Sequence, residues 1–356
     1  MRKKIILIIV AVLFSLKLFA QNNKIVLVHP TKYNLELFTN LIDKKIIEIE
    51  DFHILGIYHE KETYNYKKSH DFLLKNNTKN IQLVEIKEDI DPSKLYQDNA
   101  CSQVFNNIFL KSTGIIFFGG PDLPPAIYGE QMSLLTRMTD PYRHYFEASF
   151  LFHLLGGSQN KTYEPLLEKN PDYTVYAICL GMQTMNIATG GTMIQDIPNE
   201  VYNLKLVEEV LATENNIQHR NYNNNLVNDS TLFSGNFHQI NITNPKPIVG
   251  DYKNNLTPLI YSNHHQAIEN LGMNLKVIAT STDEKIIEAI AHKKYPNVLG
   301  IQFHPEGKYL YDLKIQYRKN PNDELKAGKQ ILIDNNSYEF HLELWKTFAR
   351  KINSTN

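Results

Sequence analysis

Short β-prone apolar runs alternate with longer amphipathic stretches through the first half of the chain. The runs at residues 25–28, 52–58, 81–86 and 114–118 are rich in Ile, Val, Leu and Phe, which predicts strands buried on both faces, as in a parallel sheet. Between them, residues 34–47, 64–74 and 93–110 carry helix-compatible patterns. Strand, helix, strand in that order predicts an open, mostly parallel α/β sheet with helices on both faces. Ligands of such sheets sit beyond the carboxyl ends of the strands.

The pattern continues with a helix over 141–155, a strand over 173–179 and a helix over 180–188 that stops at Gly190-Gly191. From 201 to 261 it weakens into short β-prone runs among many Asn residues, densest at 221–225, and these predict peripheral strands and exposed loops. A hairpin-like pair at 275–280 and 286–292, a strand at 298–304 and a helix at 338–352 close the chain. Residues 308–336 are charged and irregular and predict no element. With no internal repeat and no Pro/Gly/Ser-rich linker, residues 21–356 are expected to form one domain.

The first twenty residues follow another pattern. Arg2, Lys3 and Lys4 precede an apolar run over 5–14, and Ser15 to Ala20 then lead into polar Gln21, the layout of a secretory signal peptide cut after Ala20. The apolar run is shorter than the roughly 20 residues that span a bilayer, and Lys17 follows it. The expectation is therefore an exported protein, periplasmic or secreted, without a stable membrane span once the segment is removed. Formal charge is −1, from 37 basic and 38 acidic residues; losing the four basic residues of the segment leaves 33 against 38, or −5. Nothing in this balance points to nucleic acid. Two cysteines, Cys101 and Cys179, are too few for a disulfide framework. One bridge between them is open by count, but the surroundings of Cys179 oppose it.

In residues 174–183 a β-prone run ends at Cys179 and a helical pattern starts immediately, which lifts the thiol onto a sharp bend. The positive end of the following helix favours the thiolate there, and small Ala177 and Gly181 let the backbone turn tightly. Alone, a cysteine at a strand end is as readily an inert core residue. A second segment, Gly300-Ile301-Gln302-Phe303-His304-Pro305-Glu306, ends a strand at His304 and stops its ladder at Pro305. Residues two apart in extended chain share a side, so Glu306 can reach back to hold the imidazole. Thiol, base and orienting carboxylate are what covalent acyl transfer needs. A third segment runs from the strand at 114–118 into Gly119-Gly120-Pro121-Asp122, a turn whose unobstructed N–H groups can donate to an oxyanion beside the N–H of Leu180. By itself such a turn merely ends a strand. The histidines show no ligand spacing with Cys or carboxylates outside this set, so neither a metal site nor a cofactor is indicated.

These three segments, in this order, resemble the class I glutamine amidotransferase-like superfamily, and within it the gamma-glutamyl hydrolase and gamma-glutamyl-GABA hydrolase type, peptidase C26-like. The resemblance also rests on Leu123-Pro124-Pro125-Ala126-Ile127-Tyr128-Gly129-Glu130, on Arg143 with Phe146-Glu147, on Gly190-Gly191-Thr192-Met193-Ile194-Gln195-Asp196, and on Ser262-Asn263-His264-His265-Gln266-Ala267. It implies a flavodoxin-like sheet, Cys179 as nucleophile, His304 as base and acid, Glu306 as orienter, and Gly120 and Leu180 as oxyanion donors. It also implies Gln183 and His265 at a pocket for a small gamma-glutamyl substrate, with no cofactor. Ala177 stands where the family usually has Gly, His144 follows Arg143 where Asp is common, and 21–110 matches only in its α/β pattern. The expected function is an exported cysteine hydrolase that cleaves a gamma-glutamyl amide or isopeptide through a thioester. The alternatives are a catalytically silent binding protein of the same fold and a glutaminase subunit of an amidotransferase, which an export segment disfavours. The acyl donor and oligomeric state are not legible.

Overall fold

A run such as Ile25–Val28 offers no polar side to water, and all four of its residues are buried. It forms β1 at the middle of a sheet, where both faces must be covered. The computed structural model describes residues 25–49 and 52–354. The expected signal segment, 1–20, lies outside the described residues.

The further strands are β2 (Ile54–His59), β3 (Ile81–Ile86), β4 (Gly114–Phe117), β5 (Thr174–Ile178), β6 (Met193–Ile194), β7 (Asn236–Ile242), β8 (Leu259–Ser262), β9 (Ala267–Ile268), β10 (Leu275–Ser281), β11 (Ile287–His292) and β12 (Val298–Ile301). Among the described residues, ten of them form one sheet in the order β3-β2-β1-β4-β5-β12-β11-β10-β7-β8. From β3 to β12 neighbours are parallel, and from β12 to β8 antiparallel. The fold is thus an open, mostly parallel α/β sheet.

Alternate residues of the central strands feed two separate cores. Ile25, Leu27, Ile116, Tyr176 and Ile178 join α1 (Lys32–Asp43), α2 (Lys67–Lys75) and α6 (Tyr338–Ser354) on one face. Val26, Val28, Ile115, Phe117, Val175 and Ala177 join α3 (Ser102–Leu110), α4 (Pro141–Leu155) and α5 (Leu180–Ala188) on the other. Side chains of successive strand residues point to opposite faces, so one strand serves both cores. No helix among the described residues is long and apolar enough to cross a membrane.

Three expectations need correction. The helix expected over 93–110 starts only at Ser102, because Asn99 turns the chain locally, its Oδ1 accepting from Cys101 N at 2.9 Å and its N–H donating to Ser102 Oγ at 2.8 Å. The Asn-rich patch is exposed only at Asn224 and Asn225: Asn221 is buried and its amide donates to the carbonyls of Phe233, at 3.0 Å, and Lys319, at 2.9 Å. Irregular chain leaves carbonyls without ladder partners, and side-chain amides supply the donors. Residues 308–336, for which no element was expected, contain the pair β13 (Gln316–Tyr317) and β14 (Lys326–Ala327) and the short helix Gly328–Asp334.

Candidate active site

β5 ends at Ile178 and α5 begins at Leu180, so Cys179 alone makes the turn, at φ 51° and ψ −106°. A side chain with φ in this range is strained, and surrounding contacts must hold it there. The N–H of Cys179 donates to Ile301 O at 2.7 Å, and its carbonyl accepts from Gln183 N at 3.1 Å. Gly181 is required for the close approach of α5 to β4, since a Cβ there would lie 2.5 Å from Phe117 O. The amide of Gln302 reaches Sγ at 3.4 Å. Both cysteines are free; the thiol of Cys101 donates to Glu88 O at 3.1 Å.

Beyond β12 the chain stays extended, tied by Gln302 N to Glu288 O and by His304 N to Tyr261 O, each 2.8 Å. This delivers His304 to the elbow, where it lines the same cavity as Cys179 and its Nδ1 lies 2.7 Å from Glu306 Oε1. Burial opposes a proton on His304, but the negative charges of Glu306 and Cys179 outweigh it and hold the imidazole well above its ordinary range. The arrangement sets a half-buried imidazole, favoured in its protonated form, between a sulfur and a carboxylate. Removing the Glu306 charge lowers the pH at which that proton is lost. Glu306→Gln is therefore expected to move the alkaline limb of a kcat/KM profile acidward, and to slow turnover less than loss of Cys179 does. A limb at the wild-type pH would remove Glu306 from this role.

β4 runs into Gly119-Gly120 beside the elbow. Arg143, buried on α4, donates through Nη2 to Phe118 O at 3.0 Å and Gly119 O at 2.9 Å, and through Nε to Glu147 at 2.7 Å. Its guanidinium thus fixes two successive carbonyls of the turn. Leu180 lies against Gly120, whose added Cβ would meet Leu180 Cδ2 at 2.8 Å.

Cys179, His304, Glu306, Gly119 and Gly120 open onto one cavity of about 290 Å³. Its other walls are Tyr33, Asn34 and Leu37 at the start of α1, with Tyr261, Asn263 and Tyr309 opposite. Thr31 caps α1 by accepting from Asn34 N at 3.1 Å, and the Asn34 amide donates to His29 O at 2.9 Å, so this wall is anchored to the end of β1.

The profile of the family described as Peptidase C26 matches residues 95–306, well over half of the chain. The chain belongs to the peptidase C26 family. A protein named as glutamine amidotransferase-like in Rickettsia prowazekii is 28% identical over 61% of this chain and 76% of its own length. Another so named, in Lactococcus lactis, is 29% identical over 54% of this chain and 65% of its own. Anthranilate synthase beta subunit 2 of rice is 28% identical over 38% of this chain and 39% of that protein. A solved structure from Thermoplasma acidophilum, described as that of a candidate GMP synthase component, covers 85% of this chain and 96% of its own at 14% identity with a TM-score of 0.38, too loose a likeness to build on. The family and its amidotransferase-like relatives make the function that of a hydrolase or amidotransferase.

Within this peptidase C26 protein, Gln183 and His265 lie outside the Cys179 cavity. Gln183 is buried behind the elbow, its amide 3.2 Å from Gln266 O and 3.3 Å from Gln302 Oε1. His265 bridges Asp122 and Asp196 at 3.0 Å each; burial opposes its proton, but the two carboxylates raise its pKa. It lines a neighbouring cavity of about 420 Å³ that also holds Arg137 and Arg220. Sequence reasoning missed the wall from α1 and the Tyr261 and Tyr309 rings. Their only signal was a helix start after β1 and β-prone tyrosines, which carry no motif.

Proposed function

We propose that this peptidase C26 protein hydrolyses a gamma-glutamyl amide or isopeptide bond, with Cys179 as nucleophile. The observation that carries the reading is the strained Cys179 beside the His304–Glu306 pair, joined at 2.7 Å, at the wall of a cavity of about 290 Å³. The thiolate attacks the acyl carbon, and the N–H groups of Gly120 and Leu180 receive the developing oxyanion. The His304 imidazolium then gives its proton to the leaving amine, leaving a thioester on Cys179 and a neutral imidazole. That imidazole takes a proton from water as it attacks the thioester, and collapse frees the acid and restores the ion pair.

The gamma-glutamyl choice is supported by the relatives named as glutamine amidotransferase-like, because the side-chain amide of glutamine is itself a gamma-glutamyl amide. The guanidinium groups of Arg137 and Arg220, which line the cavity beside His265, suit a substrate that carries a free carboxylate. Export belongs to the same reading, supported by Arg2, Lys3, Lys4 and the apolar run behind them; a mature mass starting at Gln21 tests it.

The decisive experiment mixes the protein with a panel of gamma-glutamyl compounds, quenches in acid and weighs the intact chain. A glutamyl adduct on Cys179 is expected, and its appearance with each donor ranks the substrates. No adduct and no product from any donor, with Cys179 still open to alkylation, would overturn the gamma-glutamyl assignment. Rapid alkylation that survives His304→Ala would overturn the ion pair.

A further inference from the structure

A second polar cluster lies behind the active site, sealed from solvent. His219 sits between the turns Asn215–Ile217 and Tyr222–Asn225, His238 on β7, His264 after β8, and Glu288 on β11. Their exposures are 1%, 0%, 5% and 0%. One nitrogen or oxygen from each lies within 4.8 Å of all the others. The spacing of these residues along the chain, which indicated no metal site, conceals a set that the antiparallel half of the sheet assembles.

Glu288 Oε1 is 3.1 Å from His219 Nδ1, 3.8 Å from His238 Nε2 and 4.0 Å from His264 Nε2. None of these approaches is a hydrogen bond: both Glu288 oxygens, both His219 nitrogens and Nε2 of His238 and His264 are buried without a partner. A buried carboxylate without a donor is among the costliest arrangements a fold can contain. The rings are also oriented as ligands are. His238 Nδ1 lies 3.2 Å from Gln239 O, and His264 Nδ1 lies 2.8 Å from Gln266 O. A ring that donates its hydrogen to a carbonyl turns a bare lone pair the other way, here towards the carboxylate. Lone pairs converging on an anion need a cation between them.

We propose that His219, His238, His264 and Glu288 hold one divalent transition-metal ion, zinc by the chemistry of the donors. Three imidazoles and one carboxylate make a four-coordinate nitrogen and oxygen set, whereas calcium and magnesium take oxygen ligands alone. Bonds of ~2.0–2.2 Å require the four atoms to draw in modestly from their present spread. All four positions come from the protein and none faces water, which makes the site structural.

The ion would brace the floor of the active site. His264 precedes His265 and Gln266, which tie to Asp122, Asp196 and the amide of Gln183. Glu288 O accepts from Gln302 N, and the Gln302 side chain touches Cys179 Sγ. His264 N donates to His219 O at 3.1 Å, closing the loops around the cluster. This inference stands independently of the hydrolase reading.

The test is elemental analysis of the full mature chain, purified without a histidine tag and washed with a mild chelator to strip surface ions. About one zinc per chain is expected, and Cys179→Ser, which lies outside the cluster, keeps it. Cobalt loaded in its place is expected to give the strong visible absorption of a four-coordinate centre, lost in His238→Gln and Glu288→Gln together with at least about tenfold of the bound metal. Wild-type protein that holds less than about a tenth of an ion per chain after zinc loading, with no rise in Tm on adding zinc, would overturn the proposal. So would full zinc content in both variants. If the variants do not fold, the wild-type zinc content and cobalt spectrum decide.

Discussion

Cys179→Ser is expected to lower turnover of a gamma-glutamyl amide by at least about a thousandfold while moving Tm by no more than about 2–4 °C. The rate falls because a hydroxyl at this bend has no ready anion to offer and is a far poorer nucleophile than a thiolate. Stability changes little because the substitution removes almost no volume. The strained backbone at φ 51° is kept, and the Gln302 amide that reaches Sγ at 3.4 Å gives a buried hydroxyl an immediate partner. Calorimetry beside steady-state kinetics reads both effects. A structural cysteine would show the reverse, a large drop in Tm with activity retained per folded molecule.

The sheet was legible in the sequence wherever a strand is buried on both faces. Ile25–Val28 and Thr174–Ile178 read as uninterrupted apolar runs because each supplies two cores at once. The adjacency of Cys179, His304, Glu306 and Gly119-Gly120 was legible for a related reason: each is the first residue set beyond a parallel strand, and parallel neighbours bring such ends together. The histidine cluster had no such rule behind it. His219, His238, His264 and Glu288 come from loops and antiparallel strands whose order in the sheet, β12-β11-β10-β7-β8, is not the order of the chain. The wall that Tyr33 and Asn34 build was equally hidden, because a helix start shows where a chain turns but not what it faces. Asn221 misleads for the opposite reason: a residue common in exposed turns is buried when unpaired carbonyls need its amide.

Gly119→Ala is expected to cut kcat/KM by about a hundredfold or more, with the fold largely intact. A Cβ at 119 would lie 2.7 Å from His304 Cε1 and 3.4 Å from Cys179 Cβ, so the methyl group occupies space the imidazole now fills. The backbone is not the obstacle, since Gly119 is not among the residues of positive φ. The ring must move, and it is held at Nδ1 by Glu306. Any pivot that relieves the contact strains this bond and shifts the imidazole relative to Cys179, so the alkylation rate of Cys179 should fall together with turnover. Gly120→Ala provides the contrast. Its Cβ would meet Arg143 Nη1 at 2.1 Å, and disturbing a buried guanidinium paired to Glu147 should lower Tm as well as activity. A full wild-type rate in Gly119→Ala would mean that His304 serves the reaction from a different position, and the charged pair would then lose its claim to the chemistry.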